Sequence, residues 1–191
     1  MTSFQKYQVA ALYVDPKGPY PKLAASWWDE KRDALRYQGK FPVVAHPPCR
    51  SWSRLRHFAK APAYERDLAI LAVSQVRKFG GVLEHPSGSA LWPYMNLPVG
   101  QATDEYGGYS IVVDQNWWGH KARKRTLLYI VGLKRSLLPI MPIDLAEPSY
   151  TVSTWSGHRG KQHRPEMPKS ERHLTPPSFA RWLCELASSV S

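Results

Sequence analysis

The chain has 191 residues, 43% of them hydrophobic, and carries 26 Lys or Arg against 15 Asp or Glu, which gives a formal net charge of +11. This length and apolar fraction predict one folded domain over residues 1–191 and exclude a wholly disordered chain. The sequence has no run of eighteen apolar residues and no signal-peptide pattern, so we expect a cytoplasmic protein without a membrane partner. Two cysteines do not make a disulfide framework.

The first predicted elements are a strand and a rigid loop. Residues 8–15 read as a strand that ends in the proline-rich loop 16–21. That loop has a single glycine, Gly18, and lacks the several glycines that let backbone close around a dinucleotide. Residues 27–33 mix aromatic and charged side chains and predict about one helical turn.

A second strand over residues 42–45 ends at Pro47 and Pro48, because proline cannot donate a hydrogen bond within a sheet. Cys49 follows at once. It is expected at the carboxyl end of the strand, the edge at which open α/β sheets bind ligands. Three arginines close by in the sequence predict a lowered pKa for this thiol. They are Arg50, Arg54 and Arg56.

Residues 64–79 carry apolar side chains at helical spacing and predict an amphipathic helix, which Gly80-Gly81 ends. A strand then begins at Val82 and ends at Glu84-His85-Pro86. The pattern of an apolar strand, a polar residue and a proline thus occurs twice. We therefore expect Cys49 and Glu84 at the same edge of the sheet.

Two further strands are predicted at 108–114 and 126–133. Residues 139–175 are basic, rich in proline and without periodicity, which indicates a long surface loop. Thr175 is expected to cap a last helix with Pro176 at its first position. Together these elements predict an α/β fold, in which helices flank a mixed sheet.

Positive charge is concentrated in the segments 50–60, 121–135 and 159–172, which hold fifteen of the 26 basic residues. Aromatic and histidine side chains lie in or beside these segments. Cations that bind phosphates, together with rings that stack on bases, are typical of proteins that bind nucleic acids. The charge pattern therefore favours a nucleic-acid partner.

Three short motifs resemble those of the carbon-5 cytosine DNA methyltransferases, in the same order and at similar spacing. In that family the motifs read Pro-Cys-x-x-Phe-Ser, Glu-Asn-Val and Gln-x-Arg-x-Arg. Here they stand at Pro48-Cys49 with Trp52-Ser53, at Glu84-His85-Pro86 and at Lys121-Ala122-Arg123-Lys124-Arg125. The resemblance implies a single-domain, Rossmann-like and methyltransferase-like fold that acts on double-stranded DNA.

The resemblance also implies residue roles. Cys49 would add to carbon 6 of a flipped pyrimidine, and Glu84 would act as a donor or acid at ring nitrogen 3. Arg123 and Arg125 would hold a phosphate or the ring carbonyl. The candidates for substrate or DNA binding are Pro48, Arg50, Trp52, Ser53, Arg54, His85, Trp118, His120, Lys121, Lys124 and Arg159.

The departures from the family concern the cofactor. Its glycine-rich motif is represented only by the segment that holds Asp15 and Gly18, and thirty residues separate Gly18 from Cys49. We therefore favour an enzyme that requires no cofactor and is similar to the amino acid:DNA transferases of bacteriophage thymine hypermodification. Such an enzyme transfers an amino acid or amine to an activated 5-hydroxymethyluracil, in a phage-infected or prophage-bearing host.

Two other functions stay open. An S-adenosylmethionine-dependent cytosine methyltransferase would use Asp15 and Gly18 for the cofactor, and a non-catalytic nucleic-acid-binding module would not need the thiol of Cys49. A zinc deaminase is excluded because Trp52 stands where its second cysteine is required. The histidine and cysteine spacings predict no metal site.

Overall fold

The computed structural model describes residues 6–54, 56–152 and 164–190. The strands are β1 (Tyr7–Leu12), β2 (Ala24–Trp28), β3 (Val43–Ala45), β4 (Gly81–Pro86), β5 (Tyr109–Asp114) and β6 (Arg125–Val131). The α-helices are α1 (Tyr20–Leu23), α2 (Tyr64–Phe79), α3 (Leu91–Tyr94) and α4 (Pro177–Ser188).

The six strands form one sheet in the order β2-β1-β3-β4-β6-β5. Strands β1 to β4 run parallel, and β6 is antiparallel to both of its neighbours. The predicted α/β architecture with a mixed sheet is confirmed. The chain places β2 on one side of β1, and it places β3 and β4 on the other side of β1. A crevice at such a reversal, outside the carboxyl ends of β1 and β3, is where open α/β sheets bind ligands.

Helices cover both faces of the sheet. Successive side chains of a strand point to opposite faces, so each face has its own hydrophobic core. Val9 and Ala11 of β1 belong to the core beneath α4, whereas Ala10 and Leu12 belong to the core beneath α2. Helix α4 buries a face with fully covered large side chains such as Phe179. Each side chain of this kind stabilises the fold by roughly 1.5–3 kcal/mol.

A glycine allows β4 to start against β3. Gly81 has a φ of +117°, and a Cβ at this position would overlap the carbonyl oxygen of Val43. The close approach lets the short strand β3 pair in register with β4, with Val43 opposite Gly81 and Ala45 opposite Leu83.

The strands predicted at 42–45, 108–114 and 126–133 and the helix predicted at 64–79 are confirmed, with end shifts of at most two residues. The strand predicted at 8–15 ends at Leu12, because Tyr13 turns the chain with a φ of +58°. Helix α4 begins at Pro177, with Pro176 rather than Thr175 as its N-cap.

The helical turn predicted for residues 27–33 is wrong. Trp27 and Trp28 belong to the edge strand β2 and pair with Ala11 and Leu12 of β1. An edge strand carries polar and aromatic side chains readily, because its outer side has no partner strand. Because of this composition, the sequence pattern did not indicate a strand at β2.

The long loop is irregular in the parts that the structure describes, 139–152 and 164–176. Only isolated bridges occur there, one joining Ala122 to Tyr150 and one joining Thr151 to Glu166. Among the described residues, no helix combines the length and apolarity needed to cross a bilayer.

Candidate functional site

The carboxyl ends of β3 and β4 bring the two predicted catalytic side chains to one edge of the sheet. The strands are parallel neighbours and Ala45 lies opposite Leu83, so His46 and Glu84 follow at equivalent positions. Cys49 stands three residues beyond His46, after the two prolines that end the strand. The predicted shared edge is confirmed.

Glu84 lies at the centre of a hydrogen-bond network. Its Oε2 accepts a hydrogen bond from Nδ1 of His46 at 2.9 Å, and its Oε1 accepts one from Nε2 of Gln115 at 3.1 Å. Gln115 is fully buried and also donates to Oγ1 of Thr126 at 3.0 Å. Both carboxylate oxygens are therefore held by donors.

His46 links Glu84 to a buried tyrosine. Because its Nδ1 donates to the carboxylate, its Nε2 can accept the hydroxyl hydrogen of Tyr20, which lies 2.5 Å away. Burial raises the pKa of Tyr20 well above its ordinary value, so this hydroxyl stays a donor. The result is a chain of hydrogen bonds from Tyr20 through His46 to Glu84.

The network fixes the charge of Glu84. Burial alone would raise the pKa of this carboxyl, but the hydrogen bond from His46 and the positive charge of Lys124 lower it to about 2. Glu84 is consequently a carboxylate throughout the physiological pH range. It is suited to accept a hydrogen bond, so the predicted role of Glu84 as a donor or acid at ring nitrogen 3 is wrong.

Cys49 is half-buried, and its environment differs from the prediction. Burial raises the pKa of the thiol, the charge of Glu84 raises it further, and Lys124 lowers it. The expected thiolate beside arginines is therefore wrong. Arg50 is directed instead to Glu65 of α2, with Nε 3.1 Å from Oε2, and the charge of Glu65 itself raises the pKa of the thiol.

The third motif contributes a different cation from the one predicted. Arg123 pairs with Asp114, with Nε 3.3 Å from Oδ2, and Arg125 is exposed at the start of β6. Lys124 between them lowers the pKa of both Cys49 and Glu84. Lys124, predicted as a DNA contact, is thus the residue of this motif that acts on the thiol and the carboxylate.

Three predicted contacts to DNA are core residues. Trp52 is 1% exposed and its Nε1 donates to the carbonyl of Arg66 at 3.2 Å, so it cannot stack on a base. His85 is also 1% exposed, with Nδ1 2.7 Å from Oγ of Ser89, and burial lowers its pKa to about 4. Trp118 is buried against helix α4, so packing in the core accounts for this tryptophan.

The other predicted residues are dispersed. Pro48 and Ser53 are half-buried beside Cys49, and Arg54 is exposed. Lys121 is exposed and pairs with Glu171. Arg159 lies outside the described residues.

The backbone N–H groups of the predicted cofactor turn form their hydrogen bonds within the turn. The backbone N–H of Lys17 donates to Oδ1 of Asp15 at 2.8 Å, and that of Gly18 donates to the Asp15 carbonyl at 2.9 Å. Gly18 also lines a groove of about 930 Å³ between the Pro19 loop, α1 and the start of α4. We call this cavity the α1–α4 groove.

Sequence reasoning did not select Tyr20, His46 or Gln115. His46 carried a usable signal, since it is the polar residue between an apolar strand and a proline, the pattern that singled out Glu84. Gln115 directly follows the carboxyl end of β5, although no proline comes after it. Nothing local marked Tyr20.

The charges around Cys49 lead to a paired prediction. Glu84→Gln removes a charge that raises the thiol pKa, so alkylation of Cys49 by iodoacetamide at pH 7 should become faster. Lys124→Gln removes a charge that lowers it, so alkylation should become slower. Peptide mass spectrometry separates Cys49 from the buried Cys184. Shifts of the same sign in both variants would contradict this assignment.

Within residues 6–54, 56–152 and 164–190, no three His, Cys, Asp or Glu side chains are grouped as metal ligands. In comparisons with known proteins, no protein-family model matches this chain and no curated protein matches it.

Proposed function

We propose that this protein modifies a pyrimidine base of double-stranded DNA through a covalent adduct between Cys49 and carbon 6 of a flipped base. The observation that carries the proposal is that a half-buried thiol and a hydrogen-bonded carboxylate follow two neighbouring strands, and that the charge of the carboxylate raises the pKa of the thiol. A thiol that adds to carbon 6 activates carbon 5, which is otherwise unreactive. A base must leave the stack to expose carbon 6.

The state of Glu84 favours a uracil-type base over cytosine. Nitrogen 3 of uracil or thymine carries a hydrogen and donates it, whereas nitrogen 3 of cytosine has a lone pair and needs a donor. His46 and Gln115 donate to the two oxygens of Glu84 and stabilise the carboxylate. A carboxylate accepts from a uracil-type N3–H and repels the lone pair of cytosine.

The favoured reaction transfers an amino acid or amine to a 5-hydroxymethyluracil that carries pyrophosphate. The Cys49 sulfur bonds to carbon 6 as its proton passes to water, and the electrons released at carbon 5 expel pyrophosphate from the 5-methyl carbon. The amine nitrogen then bonds to the resulting exocyclic methylene and loses a proton. Electrons return through the ring, expel the sulfur from carbon 6 and restore the ring double bond.

A cytosine methyltransferase dependent on S-adenosylmethionine is the second candidate, supported by the three motifs. Its cofactor would use the turn at Asp15 and Gly18. The N–H groups of Lys17 and Gly18 in that turn are bonded to Asp15, so they are not directed to a ligand. A non-catalytic nucleic-acid-binding module is the third candidate, supported by the net charge of +11.

Mass spectrometry of nucleosides distinguishes the three. One duplex carries 5-hydroxymethyluracil pyrophosphate and is incubated with a mixture of amines, and a second carries cytosine and is incubated with S-adenosylmethionine. We expect an aminated thymine from the first duplex and unchanged cytosine from the second. Methylated cytosine would establish the second candidate. Tight DNA binding without any product would establish the third.

A further inference from the structure

Besides the α1–α4 groove, the structure has a basic cavity between the turn after β3 and the start of α2. It measures about 380 Å³, and its basic lining residues are Arg56, His57 and Arg66. No acidic residue lines it within the described part of the chain. The cavity therefore attracts anionic groups such as phosphates. Residues 56–66 form most of its wall, and we call them the 56–66 surface.

Arg66 is held in place by two aromatic rings. Its guanidinium carbon lies 4.5 Å from the centroid of the Trp52 ring and 4.9 Å from that of Tyr94. Neighbouring Glu65 is bonded to Arg50 and does not line the cavity. A guanidinium stacked in this way is preorganised for a phosphate, because its planar group is already oriented.

The turn after β3 connects this surface to Cys49. The backbone N–H groups of Trp52 and Ser53 donate to the Cys49 carbonyl at 3.0 and 2.9 Å, and that of Arg56 donates to the Ser53 carbonyl at 3.1 Å. Ser51 lines the cavity and stands two residues after Cys49, so their Cα atoms are at most about 7.6 Å apart. The thiol and the 56–66 surface are therefore close enough to contact the same stretch of one duplex.

Exposed aromatic side chains are concentrated at this surface. Phe58 is 86% exposed, the largest value for any aromatic residue among those described. It stands between His57 and Ala59, both of which line the cavity. Tyr64 is 58% exposed and follows the lining residue Ala63. The ring of Phe58 adds little buried surface to the fold, so it is available for burial by a partner.

A basic surface with a projecting phenyl ring matches the way proteins hold opened DNA. Cations fix the backbone phosphates, and an apolar side chain inserts between base steps that have lost their stacking. Trp52 and Trp118 were predicted as DNA contacts, but both are buried and cannot fill this role. Phe58 is the exposed ring nearest to Cys49 along the described chain.

We propose that Phe58 is an intercalating wedge, whose ring enters the duplex at the gap that the flipped base leaves. Arg56, His57 and Arg66 hold phosphates beside that gap. The ring stacks on the neighbouring base pair and offsets part of the free energy that extrusion costs. This inference rests on the proposed function, which requires a flipped base, and it names the residue that keeps the duplex open.

The first test compares two duplexes, one intact and one with an abasic site in place of a single thymine. An abasic site offers the gap without the cost of extruding a base. In fluorescence anisotropy, we expect the wild type to bind the abasic duplex about tenfold or more tightly than the intact one, as base–aromatic stacking allows. Phe58→Ala should bring the ratio of the two affinities close to one. Phe58→Leu keeps an apolar wedge and should retain part of the preference.

Two control variants separate the wedge from general effects of the surface. Ile140→Ala is matched to Phe58→Ala, because Ile140 is 93% exposed and lies outside the 56–66 surface, and it should leave both affinities unchanged. Arg56→Gln should weaken binding of both duplexes by the same factor and reduce the salt slope by about 1. Lys40→Gln removes an exposed charge before β3, at the edge of the sheet opposite to Cys49, and should leave the slope unchanged.

The second test uses the activated duplex. Phe58→Ala should lower the single-turnover rate about tenfold or more when the activated base is paired with adenine. The loss should be smaller when the activated base lies opposite an abasic site, because no base pair has to be broken.

The outcomes separate this inference from the proposed function. A preference for the abasic duplex that depends on Phe58, without transfer to the activated base, would sustain the wedge and overturn the proposed function. Transfer at the same rate in Phe58→Ala and Ile140→Ala would overturn the wedge alone. A wild type without preference for the abasic duplex would overturn it, and so would an equal loss of affinity for both duplexes in Phe58→Ala.

Discussion

Cys49→Ser is expected to abolish turnover on the activated duplex and to leave DNA affinity within a few-fold of the wild type. The serine hydroxyl is a far weaker nucleophile than a thiol, so it cannot form the adduct at carbon 6. DNA affinity rests mainly on contacts between cations and phosphates, which this change does not touch. Single-turnover nucleoside analysis and a fluorescence binding titration measure the two quantities.

The second cysteine provides a matched control for this experiment. Cys184 is fully buried in α4, and burial raises the pKa of its thiol to about 12, so it takes no part in the chemistry. Cys184→Ala should keep turnover, with a loss of stability typical of a small core cavity, about 1–2 kcal/mol. Full activity in Cys49→Ser would remove the nucleophile from the mechanism.

The sequence carried enough information for the elements that have a regular apolar pattern. Helix α2 was predicted at both ends, because apolar residues recur at helical spacing and Gly80 follows. Strands β3 and β4 were predicted because short apolar runs end at prolines. Their shared edge followed from the expectation that the two strands are neighbours, and the register of Ala45 with Leu83 bears it out.

The electrostatics of the site could not be predicted in the same way. Arg50 stands next to Cys49 in the sequence, but its charge is paired with Glu65, which belongs to the first turn of α2. The dominant effect on the thiol is burial, which depends on how the turn after β3 packs. Sequence proximity therefore gave the wrong sign for the pKa shift of Cys49.

Tertiary packing also buries aromatic residues that the sequence suggested as base contacts. Trp52 and Trp118 lie in or beside basic segments, a pattern that suggested base stacking. Both are core residues, Trp52 beneath α2 and Trp118 against Phe179 of α4. A tryptophan near a basic residue is therefore weak support for nucleic-acid contact until its burial is known.

Glu84→Gln is expected to slow the chemical step by roughly two to three orders of magnitude, the loss typical of removing one preorganised group that interacts with the reacting ring. Both oxygens of Glu84 accept hydrogen bonds, one from His46 and one from Gln115. A glutamine amide has one acceptor and one donor, so its NH₂ group must face one of these donors. The variant therefore loses the carboxylate for N3–H and disturbs the hydrogen bonds that orient it. Rapid-quench measurement of product formation on saturating duplex reports this step.

The pH dependence provides an independent check on the role of Glu84. With a pKa lowered to about 2, the carboxylate stays ionised as pH falls through the ordinary titration range of glutamate. The wild-type rate should therefore show no loss between pH 6 and pH 4 that the Glu84→Gln variant lacks. Glu105→Gln, an exposed carboxyl outside the network, is the matched control and should leave the rate unchanged. A rate in Glu84→Gln equal to that of Glu105→Gln would exclude the carboxylate from the reaction and, with it, the preference for a uracil-type base.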